Sequence, residues 1–411
     1  MKKILLILII LPALIFAQEY TLEQLIETGL DKSYDIQSEL ANNKNSASYL
    51  RSSLYGILPS VSISAQKDKY LDAIDPEWNA SASLSISKSI FLNEPTYYNI
   101  HTSILDKKNA DLSLEEKRKQ IAYYIFSSYL NVLESQKILG IQKKNLELQE
   151  KIYNQVKVQY DAGEKSLLEL KQSEISLIDY EIAVNEAENS LFKTRKDLFS
   201  YLNMKDEGYD FVEPEFDISD EKFSFQSNNT LLQKKNSLTS SKVRLVQTMM
   251  DFLPSLTLSY SVNHNDDNDI YAYSDYLRAS NTLSIYASYD IFNLLEKGEA
   301  YSRSKRNLRV QKIDFETSKR DYTIELTNLQ NDLKTLNRSY TLYSDKLKLS
   351  EDNLNMAQEQ YRLGMISLLD MDRAKIDHQN AQLSYNNHHY NLLRKQEEIN
   401  LLLSNKILGK W

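Results

Sequence analysis

A chain of 411 residues with 49 Lys and Arg against 57 Asp and Glu carries a formal net charge of −8, which argues against binding the phosphates of nucleic acid. It has no cysteine, so disulfides, thiolate metal sites and a lipidated cysteine are excluded, and packing, backbone hydrogen bonds or oligomerisation must hold it together. Only 8 glycines and 6 prolines occur, about a quarter of average usage, and no proline separates Pro95 from Pro214 or follows Pro254. Stretches so poor in breakers and rich in Leu, Lys, Glu, Gln and Asn read as long helices.

The chain opens with "MKK", an apolar run "ILLILIILPALIF" and the small residue Ala17. This reads as a secretory signal peptide over residues 1–17, too short and too early to be a spanning helix. Loss of Lys2 and Lys3 with it takes the charge from −8 to −10. No later apolar run reaches the ~18 residues of a membrane helix, so a membrane-inserted form of this chain must be built from strands.

Two copies of one unit follow, 18–210 and 211–411. "YDAGEKSLLEL" at 160–170 returns as "YRLGMISLLDM" at 361–371, an offset of 201 that also relates "SIF" at 89–91 to "DIF" at 290–292. "ILPSVSISA" at 57–65 returns as "FLPSLTLSY" at 252–260, an offset of 195. The six-residue difference falls in "NHNDDNDIYAYSDYLRASN", and "DEGYDFVEPEFDISDEKF" reads as the junction between copies.

Each copy begins with two alternating runs, predicted as strands at 58–66, 81–91, 255–263 and 282–292. Val61, Ile63 and Ala65 alternate with Ser60, Ser62 and Ser64. Leu84 and Ile86 alternate with Ser83, Ser85 and Ser87, and the second copy repeats the pattern around Leu256, Leu258, Leu283 and Ile285. A period of two sends one set to each face, and the length suits tilted membrane strands. Lys88 is the exception on an apolar face, placed to snorkel from a strand end. The loops "QKDKYLDAIDPEW" and "NHNDDND" read as polar surface connections. Four strands cannot close a barrel, and an open edge cannot face lipid. Copies of the chain must therefore associate.

After each strand pair comes a long helical stretch, about 65 residues from Pro95 to Tyr160 in the first copy, or roughly 95 Å. In the second copy Leu342, Leu349, Met356 and Leu363 form one heptad stripe and Leu347, Leu354 and Tyr361 another. The stripes lie about 140° apart, which suits a helix with neighbours on both sides. The repeated phrases are the turns of two helical hairpins, with tips at 160–166 and 361–367. Gly163 and Gly364 supply a left-handed C′ position. Ser166 and Ser367 cap the next helix, with Glu169 and Asp370 completing capping boxes.

A leader, a twofold repeat, two strand pairs and Y-x-x-G-x-x-S-x-x-(D/E) at both tips resemble the TolC family of outer membrane efflux proteins over nearly all of the chain after the leader. The resemblance implies a mainly helical fold with membrane β structure. Specifically, it implies a homotrimer whose four strands per copy close one barrel in outer membrane lipid and whose helical hairpins continue as a periplasmic tunnel. It further implies a passive conduit from periplasm to exterior, serving tripartite efflux or type I secretion. The tips, through Tyr160, Gly163, Ser166, Tyr361, Gly364 and Ser367, would meet a periplasmic adaptor protein and through it an inner-membrane pump of RND or ABC type. Glu169 and Asp370 would form a periplasmic constriction, their mutual repulsion across copies raising some of their pKa values. Two departures stand out. The family's Leu-Phe-Asp-Gly-Gly turn reads "IFLNEP" and "IFNLLEKG" here, and the second acid common one turn beyond the tip is Gln172 and Arg373, the latter within reach of Asp370.

No catalytic, cofactor or metal pattern accompanies this. His388 and His389 are adjacent on a helix and diverge, and no H-E-x-x-H or Gly-rich phosphate loop occurs. The alternative is a pore-free coiled-coil structural or adhesive surface protein, which would have no use for serine-lined alternating strands.

Overall fold

The computed structural model describes residues 21–69, 78–208, 210–214, 228–266 and 280–411. The leader at 1–17, the greater part of both strand-connecting loops and most of the junction after Pro214 lie outside the described residues.

In chain order come α1 (Leu22–Lys32), α2 (Tyr34–Tyr55), β1 (Ser60–Lys69), β2 (Trp78–Ser89), α3 (Pro95–Asp161), α4 (Leu167–Tyr201), α5 (Asn229–Met250), β3 (Ser255–Asp266), β4 (Ser280–Ser288), α6 (Leu294–Arg362) and α7 (Leu368–Leu402). Pro95 opens α3 where its missing N–H costs nothing, and the 67-residue helix contains no further proline and one glycine, Gly140. Two compact units result. One holds residues 37–116 and 227–324, with the strands; the other holds the chain up to residue 36, residues 117–226 and residues 325–411.

In the first of these, the strands form one antiparallel sheet in the order β1-β2-β3-β4. The register aligns like with like. Val61, Ile86, Tyr260 and Leu283 share one row, and Ser62, Ser85, Ser261 and Thr282 the next. One face is therefore apolar and the other hydroxylic. On the hydroxyl face Ser60 bonds Ser87 at 2.8 Å, Ser62 bonds Ser85 at 2.6 Å and Ser64 bonds Ser83 at 2.7 Å. Lys88, at the base of β2, donates to the carbonyl of Gly56 at 2.7 Å, which answers its charge where the strand ends. Both β1 and β4 are open edges.

The other unit is a helical body with a dense centre. Its fully buried side chains include Leu25 and Ile26 of α1, Phe126 and Tyr129 of α3, Leu198 and Phe199 of α4, and Tyr390 and Leu392 of α7. Gly29 lies so close to Ile125 and Leu202 that a Cβ would stand 2.2 Å and 2.8 Å from their methyl groups, so this crossing demands the smallest residue. A short strap, residues 210–214, is fastened across it. Phe211 packs edge-on against Tyr129 and Phe199, the Tyr129 hydroxyl donates to the Val212 carbonyl at 2.6 Å, and Glu213 accepts from Tyr390 and pairs with Lys137 at 3.0 Å.

Two seams of α6 behave differently. Leu354 and Tyr361 are buried within the chain, while Leu342, Leu349, Met356 and Leu363 are 58–69% exposed. A second uncovered heptad stripe, Leu168, Ile175 and Ile182, lies on α4.

Because Phe126 is wholly enclosed, Phe126→Ala should destabilise this body by about 3–5 kcal/mol, read as a lowered midpoint of thermal unfolding in detergent. A loss below about 1 kcal/mol would mean that the centre is loosely packed.

Candidate functional site at the hairpin tips

The two turns are built alike from backbone upward. At the first, the Gly163 N–H donates to the Tyr160 carbonyl at 2.9 Å and the Glu164 N–H to the Gln159 carbonyl at 2.8 Å. At the second, Gly364 donates to Tyr361 at 2.9 Å and Met365 to Gln360 at 2.8 Å. This pair of bonds is a Schellman ending, which needs a left-handed residue at C′. Gly163 has φ 80° and Gly364 φ 72°. Nothing lies within 4 Å of where either Cβ would stand, so glycine is required there by conformation and not by crowding.

Each turn then starts its next helix with a complete capping box. The Ser166 Oγ accepts from the Glu169 N–H at 3.3 Å while Glu169 Oε2 accepts from the Ser166 N–H at 2.9 Å. Ser367 Oγ accepts from the Asp370 N–H at 3.2 Å, and Asp370 Oδ2 accepts from the Ser367 hydroxyl at 2.6 Å and its N–H at 3.3 Å. Both acids are thus helix caps within a single chain.

They differ in charge balance. Lys165 bridges to Glu169 Oε1 at 2.9 Å and lies 5.3 Å from the centre of the Tyr361 ring. The Lys165 bond, followed by the Ser166 N–H, holds the Glu169 carboxyl down at about 2. The second copy has Ile366 where the first has Lys165. Asp370 is lowered chiefly by the Ser367 hydroxyl and N–H, with Arg373 a weak Coulombic contributor, and no ion pair joins Asp370 to Arg373 among the described residues. Within one chain both carboxyls are therefore lowered. Any raising by repulsion would have to come from neighbouring copies.

The aromatic residues of the motif also part company. Tyr361 is 9% exposed and joins Ile152, Val156, Leu368 and Met371 in one apolar cluster, with its hydroxyl unbonded. Tyr160 stays half-buried. Behind this cluster lies a polar centre that the motif does not announce. Lys375, 2% exposed, bonds Gln149 Oε1, lies 3.6 Å from Asp372 Oδ1 and stands 4.5 Å from the Tyr180 ring centre. Burial pushes the Lys375 ammonium down and the Asp372 carboxyl up. The signal was in the sequence: Lys375 follows Met371 at i+4 and precedes His378 at i+3, on the buried face of α7. His388 and His389 do diverge, the first against Tyr343 and the second between Tyr340, Tyr385 and Tyr390.

Residues 224–405 match the family model described as outer membrane efflux protein. The matched segment includes β3, β4, both seams of α6 and the second tip. Solved structures extend the likeness in fold to both copies. CusC, a transmembrane channel, is 13% identical with a TM-score of 0.85, over 95% of this chain and 93% of that one. The CmeC outer membrane channel of Campylobacter jejuni is 18% identical with a TM-score of 0.83, over 95% and 87%. The open-state MtrE outer membrane channel of Neisseria gonorrhoeae is 13% identical with a TM-score of 0.82, over 94% and 89%. No sequence match is found among curated proteins. The fold is therefore that of the TolC-like outer membrane channels.

The Glu169 carboxyl binds fewer protons folded than unfolded. Its contribution is complete above its usual 4.5 and is lost as pH falls from there through about 2. Hydrogen-exchange protection of residues 159–170, corrected for intrinsic rates, should fall across that window. Lys165→Met should remove part of the acid-labile protection while leaving the second tip unchanged. An equal response at both tips would show that Lys165 contributes nothing.

Proposed function

We propose that the chain is the outer membrane channel-tunnel component of a tripartite efflux or type I secretion system, a passive conduit acting as a homotrimer. The observation that carries this is the sheet. It has an apolar face suited to lipid, a hydroxyl face suited to a water-filled bore, and two edges whose backbone groups require partners. The uncovered stripes on α6 and α4 have the same meaning in the helical body. Each is a heptad seam without a partner among the described residues of its own chain, and cyclic association supplies one for both. A pore-free adhesive coiled coil accounts for the stripes but not for the sheet.

In this reading the tips, with Tyr160, Gly163, Ser166, Tyr361, Gly364 and Ser367, contact a periplasmic adaptor, which couples them to an inner-membrane pump. Glu169 and Asp370 sit at one level near the periplasmic mouth, six carboxylates in a trimer. Lys165 offsets Glu169, so Asp370 carries the field.

Two measurements test this. The purified protein should have the mass of three chains in detergent and conduct in planar bilayers. Asp370→Ala should then lower cation selectivity more than Glu169→Ala. A stable monomer, or selectivity unchanged in both variants, would overturn the barrel or the constriction respectively.

The adaptor contact is separable from folding because the space around Gly364 is open. Gly364→Ala imposes the left-handed backbone cost of about 1–2 kcal/mol without bulk, whereas Gly364→Trp adds bulk at the same cost. Export should survive the first and be lost in the second, with trimer yield equal in both. Equal loss of export in both variants would make the glycine a folding requirement only.

A further inference from the structure

The internal repeat fixes how one copy's sheet should join the next. We propose that β4 of one copy pairs antiparallel with β1 of a second copy in a single register: Ser288 opposite Ser64, Ala287 opposite Ala65, Tyr289 opposite Ile63 and Ile291 opposite Val61. This rests on the barrel reading above and names the surface through which the barrel closes.

The sequence offsets are 195 between β1 and β3 and 201 between β2 and β4. Strand pairing follows the same offsets. Ser60 pairs with Ser87 in the first hairpin, and adding the offsets gives Ser255 opposite Ser288, the pair found in the second. The two hairpins are therefore equivalent, and the joint between them, β2 on β3, is the one the chain makes for itself. There Ser87 lies opposite Ser259. Moving Ser87 forward by 201 and Ser259 back by 195 gives Ser288 opposite Ser64. A ring in which every hairpin meets its neighbour in the same way requires this pairing at the open edges.

Side-chain chemistry agrees. In this register the exposed apolar residues of the β1 edge, Val61 and Ile63, meet Ile291 and Tyr289 on the lipid face, and Ser64 meets Ser288 on the hydroxyl face. A slip of one residue would put hydroxyls against the apolar row along the whole edge. The ladder also extends below the strands. The Ile90 N–H donates to the Leu256 carbonyl at 3.0 Å at the internal joint, and its equivalent is the Ile291 N–H donating to the Val61 carbonyl of the next copy.

That same bond tells which pairs are close. Ile90 and Leu256 face each other as a hydrogen-bonded pair, so the alternate pairs, among them Ser87 with Ser259, are of the non-hydrogen-bonded kind with Cα atoms about 4.5 Å apart. Ser288 and Ser64 inherit that geometry, within the span a disulfide bridges. Inside one chain the two residues sit on opposite edges, three strand spacings apart, and Ser64 is level with Ser280, eight residues along β4 from Ser288, so a link between them must join two copies.

The chain's lack of cysteine makes the test direct. Ser288→Cys is combined in turn with Ser62→Cys, Ser64→Cys and Gln66→Cys in the full-length protein, oxidised in membranes and run on non-reducing denaturing gels. The pair with Ser64→Cys should shift from the one-chain to the three-chain band. The other two are diagonal neighbours about 7–8 Å away and should stay at one chain. Ala287→Cys with Ala65→Cys probes the same register on the other face should the first pair fail to assemble. Dominant linking at residue 62 or 66, or no linking by either matched pair in a protein that still has the mass of a trimer, would overturn the register. A monomeric parent protein would overturn the barrel reading itself.

Discussion

In a hydrocarbon surrounding, the N–H and C=O groups along a free strand edge have no water to bond, and each left unpaired costs several kcal/mol. β1 and β4 present such edges on either side of a sheet whose outer face is apolar. That requirement reaches through the whole molecule. It makes a single copy an incomplete object, and apolar stripes on α4 and α6 likewise remain uncovered in a chain otherwise well supplied with a core. The cyclic association proposed above would close the sheet and cover the stripes, and an acidic, cysteine-free chain would gain from it surface burial that it does not achieve alone.

The repeat makes the proposed closure geometrically cheap. Two equivalent hairpins per copy would give a ring of like joints, the contact between copies repeating the contact within one. The hydroxyl face contributes twice. Serine pairs at 2.5–2.8 Å satisfy one another across strands, while the same groups present a neutral polar wall to water. With so little charge on that face, the proposed selectivity rests on Glu169 and Asp370 at the hairpin tips.

How much of this was legible beforehand depends on the range of the interaction. Strand faces, the helical hairpins and both capping boxes depend on neighbours within a few residues, and the sequence displays them: alternation at Ser60–Ala65, glycine at 163 and 364, a serine three residues before an acid. The Lys165–Glu169 bridge is equally local, an i,i+4 pair, but it lies where the copies differ, Lys165 against Ile366, outside the pattern they share. Arg373 was the opposite case, near Asp370 in sequence without forming an ion pair. Contacts of long range left fainter traces. Nothing local marks residues 211–213 as a strap on α3 and α7, or distinguishes the buried Tyr361 from the half-buried Tyr160. Lys375 could be placed on the buried face of α7, but its partners Gln149 and Tyr180 come from α3 and α4, more than 190 residues earlier.

The inequality of the tips has a physical consequence of its own. The first hairpin ends in a turn whose acid is paired by Lys165, and that lysine also lies 5.3 Å from the centre of the Tyr361 ring. The second hairpin inserts Tyr361, Leu368 and Met371 into the apolar cluster and places the buried Lys375–Asp372 pair directly behind. Removing either member of such a pair leaves an uncompensated buried charge, a cost of about 3–5 kcal/mol, so α7 is held where it lies by more than dispersion. The Tyr361 hydroxyl, which has no hydrogen-bond partner among the described residues, sits within this anchored region. The second tip is therefore both the more deeply seated of the two and the one whose acid remains unpaired. Charge and anchorage fall on the same hairpin, so in the proposed channel a partner that displaced it would carry the unpaired carboxylate with it.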